Sequence, residues 1–265
     1  MSLVLILSSS VAYGHVGLSA GMPVLQRLGH AVTALPTVTL SNHPGWTHVA
    51  GAATEPKQLR GMIDALDANG WLAAHSALLV GYMPSVEHVA VAEELIPRMR
   101  SASRDLRVTV DPILGDTPQG LYVPQHVAEA VRDRLLPLAD TVTPNLFELE
   151  WLSGRTCPDV TTAAHAAQSL GPERVIVTSP PLPQDTGVLS VSPSASDLYQ
   201  TPRYADMPHG VGDVFAALVA AGLPVGQALG HLEALARLSQ GGDHLDITGG
   251  ASIWTAAPPI AAQRI

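Results

Sequence analysis

The chain is predicted to be an α/β protein, a three-layer αβα arrangement with a mostly parallel central sheet. Three observations carry that expectation. Short apolar runs alternate with stretches of helical periodicity, the pattern of repeated βαβ units. Several runs are apolar throughout rather than at every second residue, as strands covered on both faces must be. Glycines and polar residues collect just after the runs, where a parallel sheet places its ligand-binding rim.

Taken in order, "LVLIL" at 3–7 reads as a buried first strand. It has no positive leader, and its apolar core falls short of the ~7–15 residues of a signal segment. A helix is expected over 16–29, a strand over 31–37, a helix over 56–70 and a strand over 75–81. The alternation continues with a helix over 85–101, a strand over 107–113, a helix over 124–139, a strand over 140–145, a helix over 146–154 and a strand over 174–179. Segment 182–204 breaks the rhythm and reads as an antiparallel edge hairpin. The stretch "HGVGDVFAALVAAG" (209–222) is a glycine-bracketed turn that runs straight into an apolar helix. There is no internal repeat and no linker, so residues 1–265 are expected to form a single domain.

Composition narrows the function classes. Apolar residues make up 46% of the 265 and charged residues 14%, below the ~25% of an average globular protein. A net charge of −9 with no basic run offers nothing to attract nucleic acid or an anionic membrane. No run approaches the ~18 apolar residues of a membrane span, so a soluble cytoplasmic protein is expected. The single cysteine, Cys157, excludes an intramolecular disulfide and a cysteine metal cluster, and it sits in a loop with no evident base.

A phosphate site in such a chain must therefore be built from backbone amides or a metal. Gly210 and Gly212 permit a tight turn, and the helix behind them presents unpaired N–H groups, which together suit an anion. Asp213, at the seam, serves equally as a helix cap or as a base, and the local sequence leaves both open. The turn is neither a Walker loop nor a dinucleotide fingerprint. "DPILGD" places Asp111 at a strand end, and "TPNLFELE" places Asn145 and Glu148 at a strand-to-helix turn. Carboxylates so placed could hold Mg²⁺ through its waters and substrate phosphates. Singly they are an Asp-Pro turn, a capping Asn and a first-turn Glu; their joint presence on one rim points to a site.

Read together, "SSSVAYGHVG", "TVTLSNHPGW", "LLVGYMPS", "VTVDPILGD", "GLYVP", "TPNLFELEWLSG", "VIVTSP" and "HGVGDVFAAL" resemble, in order, the pyridoxal kinases of the ribokinase-like superfamily. The resemblance implies ATP-dependent phosphorylation of the 5′-hydroxymethyl of pyridoxal. It makes Asp213 the general base and the amides of Gly210, Val211 and Gly212 the anion hole for the γ-phosphoryl. Ser9 is then expected to meet the pyridine ring, with Val16, His43 and Tyr82 lining its pocket. Asp111 and Glu148 would organise Mg²⁺ and phosphates beside Thr143 and Asn145, and Thr178 and Ser179 match the family's nucleotide-contacting position. A monovalent cation such as K⁺ and a homodimer are also implied.

Three positions depart from the family pattern. Val211 replaces a threonine, Pro44 follows Ser-Asn-His where threonine is common, and Leu18 stands where the first loop is usually polar. These changes bear on affinity and breadth more than on reaction type. His15 and His209 border the expected site, where either could contact phosphate as a cation, and read as structural or loop residues; Trp46 reads equally as an apolar wall of the pocket or as ordinary packing. Two alternatives compete: a related hydroxymethylpyrimidine or hydroxymethylpyrimidine-phosphate kinase, and a relative that binds vitamer or nucleotide without turnover.

Overall fold

A computed structural model describes residues 2–265. The strands in chain order are β1 (Leu3–Val11), β2 (Ala31–Leu40), β3 (Gly51–Ala53), β4 (Ala77–Val80), β5 (Arg107–Val110), β6 (Gly115–Asp116), β7 (Gly120–Leu121), β8 (Thr141–Val142), β9 (Arg174–Thr178), β10 (Thr186–Ser192), β11 (Ala195–Thr201) and β12 (Gln263–Arg264). Ten of them form one sheet in the order β12-β11-β10-β9-β8-β5-β4-β1-β2-β3, and β6 and β7 form a separate small hairpin. From β9 across to β2 the strands are parallel. The flanking β3, β10, β11 and β12 run antiparallel to their neighbours.

Strand β1 shows why its run is continuously apolar. Val4, Leu5, Ile6 and Leu7 are all buried, but successive side chains point to opposite faces. Leu5 and Leu7 join the core on one side with Leu78, Val108 and Val110, while Val4 and Ile6 join the core on the other with Ala77 and Leu79. A strand that feeds two cores cannot alternate polar with apolar.

The helices are α1 (Leu18–Arg27), α2 (Pro56–Ala68), α3 (Val86–Ala102), α4 (Gln125–Ala130), α5 (Leu146–Ser153), α6 (Val160–Gln168), α7 (Val211–Ala220), α8 (Val225–Ser239) and α9 (Ala251–Trp254). Buried residues of α2, α3 and α4 fill one core, and those of α1, α7 and α8 fill the other. The expected layers are therefore present.

Several expectations need correction. The 124–139 helix is broken after α4 into a wide turn over Val131–Leu135 and a tight one over Leu136–Leu138. Pro137 has no N–H to give back to the preceding turn, and its ring displaces the carbonyl there. Strand 107–113 stops at Val110, because the Asp111-Pro112 step leaves the ladder. The 182–204 segment is an antiparallel hairpin, β10 with β11, but β12 pairs outside it and takes the edge. Helices α6 and α8 and the short β3 and β12 were not expected; α6 buries only alanines, a weak periodic signal. Cys157 lies in the α5–α6 loop but is buried in a third core cluster. Burial pushes its thiol up, the opposite of an activated nucleophile. Among the described residues no helix is long and apolar enough to cross a membrane.

Candidate active site

The loops after β1, β2, β4 and β5 meet the turn that opens α7 on one rim. Two glycines make that meeting possible. Gly17 has φ +55°, and a Cβ there would lie 2.2 Å from the Ser9 carbonyl oxygen and 2.3 Å from Ser9 Oγ. Gly210 has φ +99°, and its Cβ would lie 1.7 Å from the His15 carbonyl oxygen. Only glycine tolerates both the left-handed backbone and the close approach. The loop over 12–17 and the turn over 209–213 are thereby pressed together.

Helix α7 is buried from Val214 to Ala220, so it enters the core with its N-terminus at the rim. Its first helical bond runs from Val214 N–H to the Gly210 carbonyl. The amides of Gly210, Val211 and Gly212 have no acceptor among the described residues, which leaves them free for an anion. The Asp213 carboxylate accepts from the Gly17 N–H and from its own. Burial outweighs those two bonds and pushes Asp213 up to about 6.

Asp111 and Asp213 line one cavity of about 200 Å³, with Ser8, Gly17, Gly81 and Ile113 among its walls. Asp111 is buried at the end of β5 and accepts the Thr143 hydroxyl at 3.0 Å. Its carboxyl is raised well above the usual range by burial, then by Glu148 and Asp213. Glu148 is also buried, and burial pushes it up to about 7 against three backbone N–H donors. Ile113 holds φ +46°, a costly conformation for a β-branched residue.

Asn145 and Glu148 are both caps, as their positions at a strand-to-helix turn allow. Asn145 accepts from Glu148 N at 2.9 Å, and Glu148 Oε2 accepts from Asn145 N at 2.9 Å. Glu148 Oε1 also accepts from Leu114 N at 2.7 Å, and Asn145 Nδ2 donates to the Gly115 carbonyl at 2.8 Å. One capping box therefore stitches the α5 turn to the loop after Asp111. Thr178 ends β9 beside it, its N–H donating to the Pro144 carbonyl, and Ser179 turns at φ +51° to meet Gly187 of β10.

A second cavity, of about 290 Å³, is lined by Val16, His43 and Trp46 together with Tyr13, His15, His209, Asp243 and His244. Tyr82 lies apart from both cavities. Its N–H donates to Ser8 Oγ at 3.2 Å, its carbonyl accepts the Thr37 hydroxyl at 2.7 Å, and its ring packs on the first core. Ser9 is half-buried opposite Gly17. Sequence reasoning passed over Ser8, Ile113, Asp243 and His244. The last two sit in "GGDHLD", a glycine-rich polar loop whose only warning was its composition, since no strand leads into it.

The donor set fits a divalent cation held largely by water and phosphate. Glu148 and Asp213 both repel the Asp111 carboxylate across the site, and a cation would relieve that repulsion. Among the described residues no group of three or more ligating side chains is placed to hold a metal ion by itself.

A family model described as phosphomethylpyrimidine kinase matches residues 14–236. The chain is 36% identical over 222 residues to the pyridoxal kinase PdxY of Corynebacterium diphtheriae, across 81% of this chain and 78% of that one. It is 38% identical over 228 residues to the pyridoxine/pyridoxal/pyridoxamine kinase of Bordetella avium, across 83% and 77%. The pyridoxal kinase from Leishmania donovani in complex with ADP and pyridoxamine superposes with a TM-score of 0.91 at 28% identity, over 100% of both chains. The pyridoxal kinase from Entamoeba histolytica does so with 0.91 at 25% identity, again over 100% of both.

Proposed function

The chain belongs to the pyridoxal kinase family of the ribokinase-like superfamily, and we propose that it transfers the γ-phosphoryl of ATP to the 5′-hydroxymethyl of pyridoxal, giving pyridoxal 5′-phosphate. The observation that carries this reading is the pairing of Asp213, anchored by the Gly17 N–H, with the three amides before it, which have no acceptor among the described residues. As the hydroxyl oxygen attacks phosphorus, its proton passes to the Asp213 carboxylate. Charge that builds on the phosphoryl oxygens is met by the amides of Gly210, Val211 and Gly212, which need no reorganisation. Val211 supplies the same amide that threonine would.

The remaining residues take roles around that step. Asp111 and Glu148, braced by Thr143 and Asn145, would hold Mg²⁺ through water. When bound, the ion would screen phosphate charge. Thr178 and Ser179 are read as nucleotide contacts, and Ser9, Val16, His43 and Tyr82 as the vitamer side. Tyr82 would act there through its own backbone N–H, which is tied to Ser8 Oγ, given where its ring lies. The reading also takes 1–265 as one kinase domain, supported by the single ten-stranded sheet. It includes a cytoplasmic homodimer and a monovalent cation such as K⁺.

The hydroxymethylpyrimidine alternative keeps one observation in its favour, the description of the matching family model. The pyridoxal-directed names of the two bacterial relatives above and the Ser-Asn-His loop favour the vitamer.

A pH–rate profile tests the role of Asp213. The base must be ionised, and its carboxyl is pushed up to about 6. With pyridoxal and ATP, kcat/KM is therefore expected to fall as pH drops through about 6 and to level off above it. A profile with no acid limb in that range contradicts the assignment.

A further inference from the structure

His209 stands immediately before Gly210 and so belongs to the turn that carries Asp213, whereas His43 belongs to the loop after β2. Their imidazoles stack, with centroids 3.8 Å apart and planes 22° from parallel. Gly45 closes the arrangement. Its N–H donates to His43 Nδ1 at 3.1 Å, and a Cβ there would lie 3.0 Å from His43 Nδ1 and 3.3 Å from His209 Nε2. A ring nitrogen that accepts carries no proton, so neutral His43 carries its single N–H on Nε2. The stack sets the plane of the ring and Gly45 sets its tautomer.

We propose that His209 is a positioning residue for vitamer binding: by stacking on His43 it ties the substrate-side loop to the catalytic turn and fixes the angle at which His43 meets the vitamer. The proposal rests on the functional reading above. His209 is exposed, so the contact is no packing requirement of the core, and removing it opens no buried void. Burial and the neighbouring His209 push His43 down to about 4, which keeps it a neutral donor at neutral pH. The other ionisable groups on the cavity wall are Tyr13, His15, Asp243 and His244, with His15 meeting His244 edge-on at 5.1 Å.

The test uses the full chain as wild type, His209→Ala, His209→Phe, His43→Ala and the His43→Ala/His209→Ala double variant. Each is assayed with pyridoxal and ATP, and the His43 ring is titrated by NMR wherever it is present. His209→Ala is expected to raise the KM for pyridoxal about fivefold, the scale of one aromatic pair, and to leave the KM for ATP unchanged. His43 should then titrate closer to its ordinary value. His209→Phe keeps a flat ring and should restore the pyridoxal KM. The double variant should be no worse than His43→Ala alone, because the two act as one unit. An unmoved pyridoxal KM, no rescue by phenylalanine, or additive effects would each overturn the proposal. A wild type that does not phosphorylate pyridoxal would sink the functional reading separately. The His43 titration would still decide the contact: a rise in His209→Ala supports it, and an unmoved value overturns it.

Discussion

Asp213→Asn is expected to lower turnover at least ~100-fold, the scale of a lost general base, while ATP and pyridoxal still bind. Asparagine keeps an oxygen to accept the Gly17 N–H, so the turn retains its anchor. What disappears is the capacity to take a proton. The substitution also removes a carboxylate that burial disfavours, so no loss of thermal stability is expected. Steady-state kinetics and calorimetric titration of both ligands separate the two effects. Turnover equal to wild type would remove Asp213 from the reaction, and loss of binding would make it a structural cap.

Gly210→Ala should be nearly as damaging, for a different reason. The new methyl would start 1.7 Å from the His15 carbonyl oxygen on a backbone held at φ +99°, so either the turn or the 12–17 loop must move. Strain of this kind costs about 1–3 kcal/mol. Displaced amides lose the scale of an anion-hole donor, about 100-fold or more in kcat. Gly212→Ala is the internal control. Nothing among the protein atoms lies within 4 Å of its Cβ and its φ is not left-handed, so the fold and the melting temperature should stay near wild type. If both variants melt alike, the turn does not act through its geometry.

Much of the fold was legible because it follows from burial on two sides. Val4 to Leu7 and Ala77 to Val80 feed cores on opposite faces, and such strands declare themselves as unbroken apolar runs. The rim was legible for the same reason, since glycine, Asp111, Asn145 and Asp213 could gather nowhere else. What stayed hidden depended on contacts between distant segments. The break after α4 needed the local effect of Pro137 weighed against a good apolar stripe. Tyr82 was expected on the pocket wall, but its ring found the core behind Gly81. His209 read as a loop residue because nothing local announces a stacking partner more than a hundred residues away. Glu148 was ambiguous between cap and ligand, and its capping bonds are the very contacts that hold it beside Asp111.

Phosphoryl transfer from ATP to a pyridoxal-type alcohol is measured most directly by one competition. Equal concentrations of pyridoxal and hydroxymethylpyrimidine are incubated with the protein, ATP and Mg²⁺, and the products are identified by mass and by the absorbance of pyridoxal phosphate. Pyridoxal 5′-phosphate is expected as the main product, formed only when ATP is present. Faster phosphorylation of the pyrimidine, or binding of pyridoxal with no phosphorylated product, would contradict it.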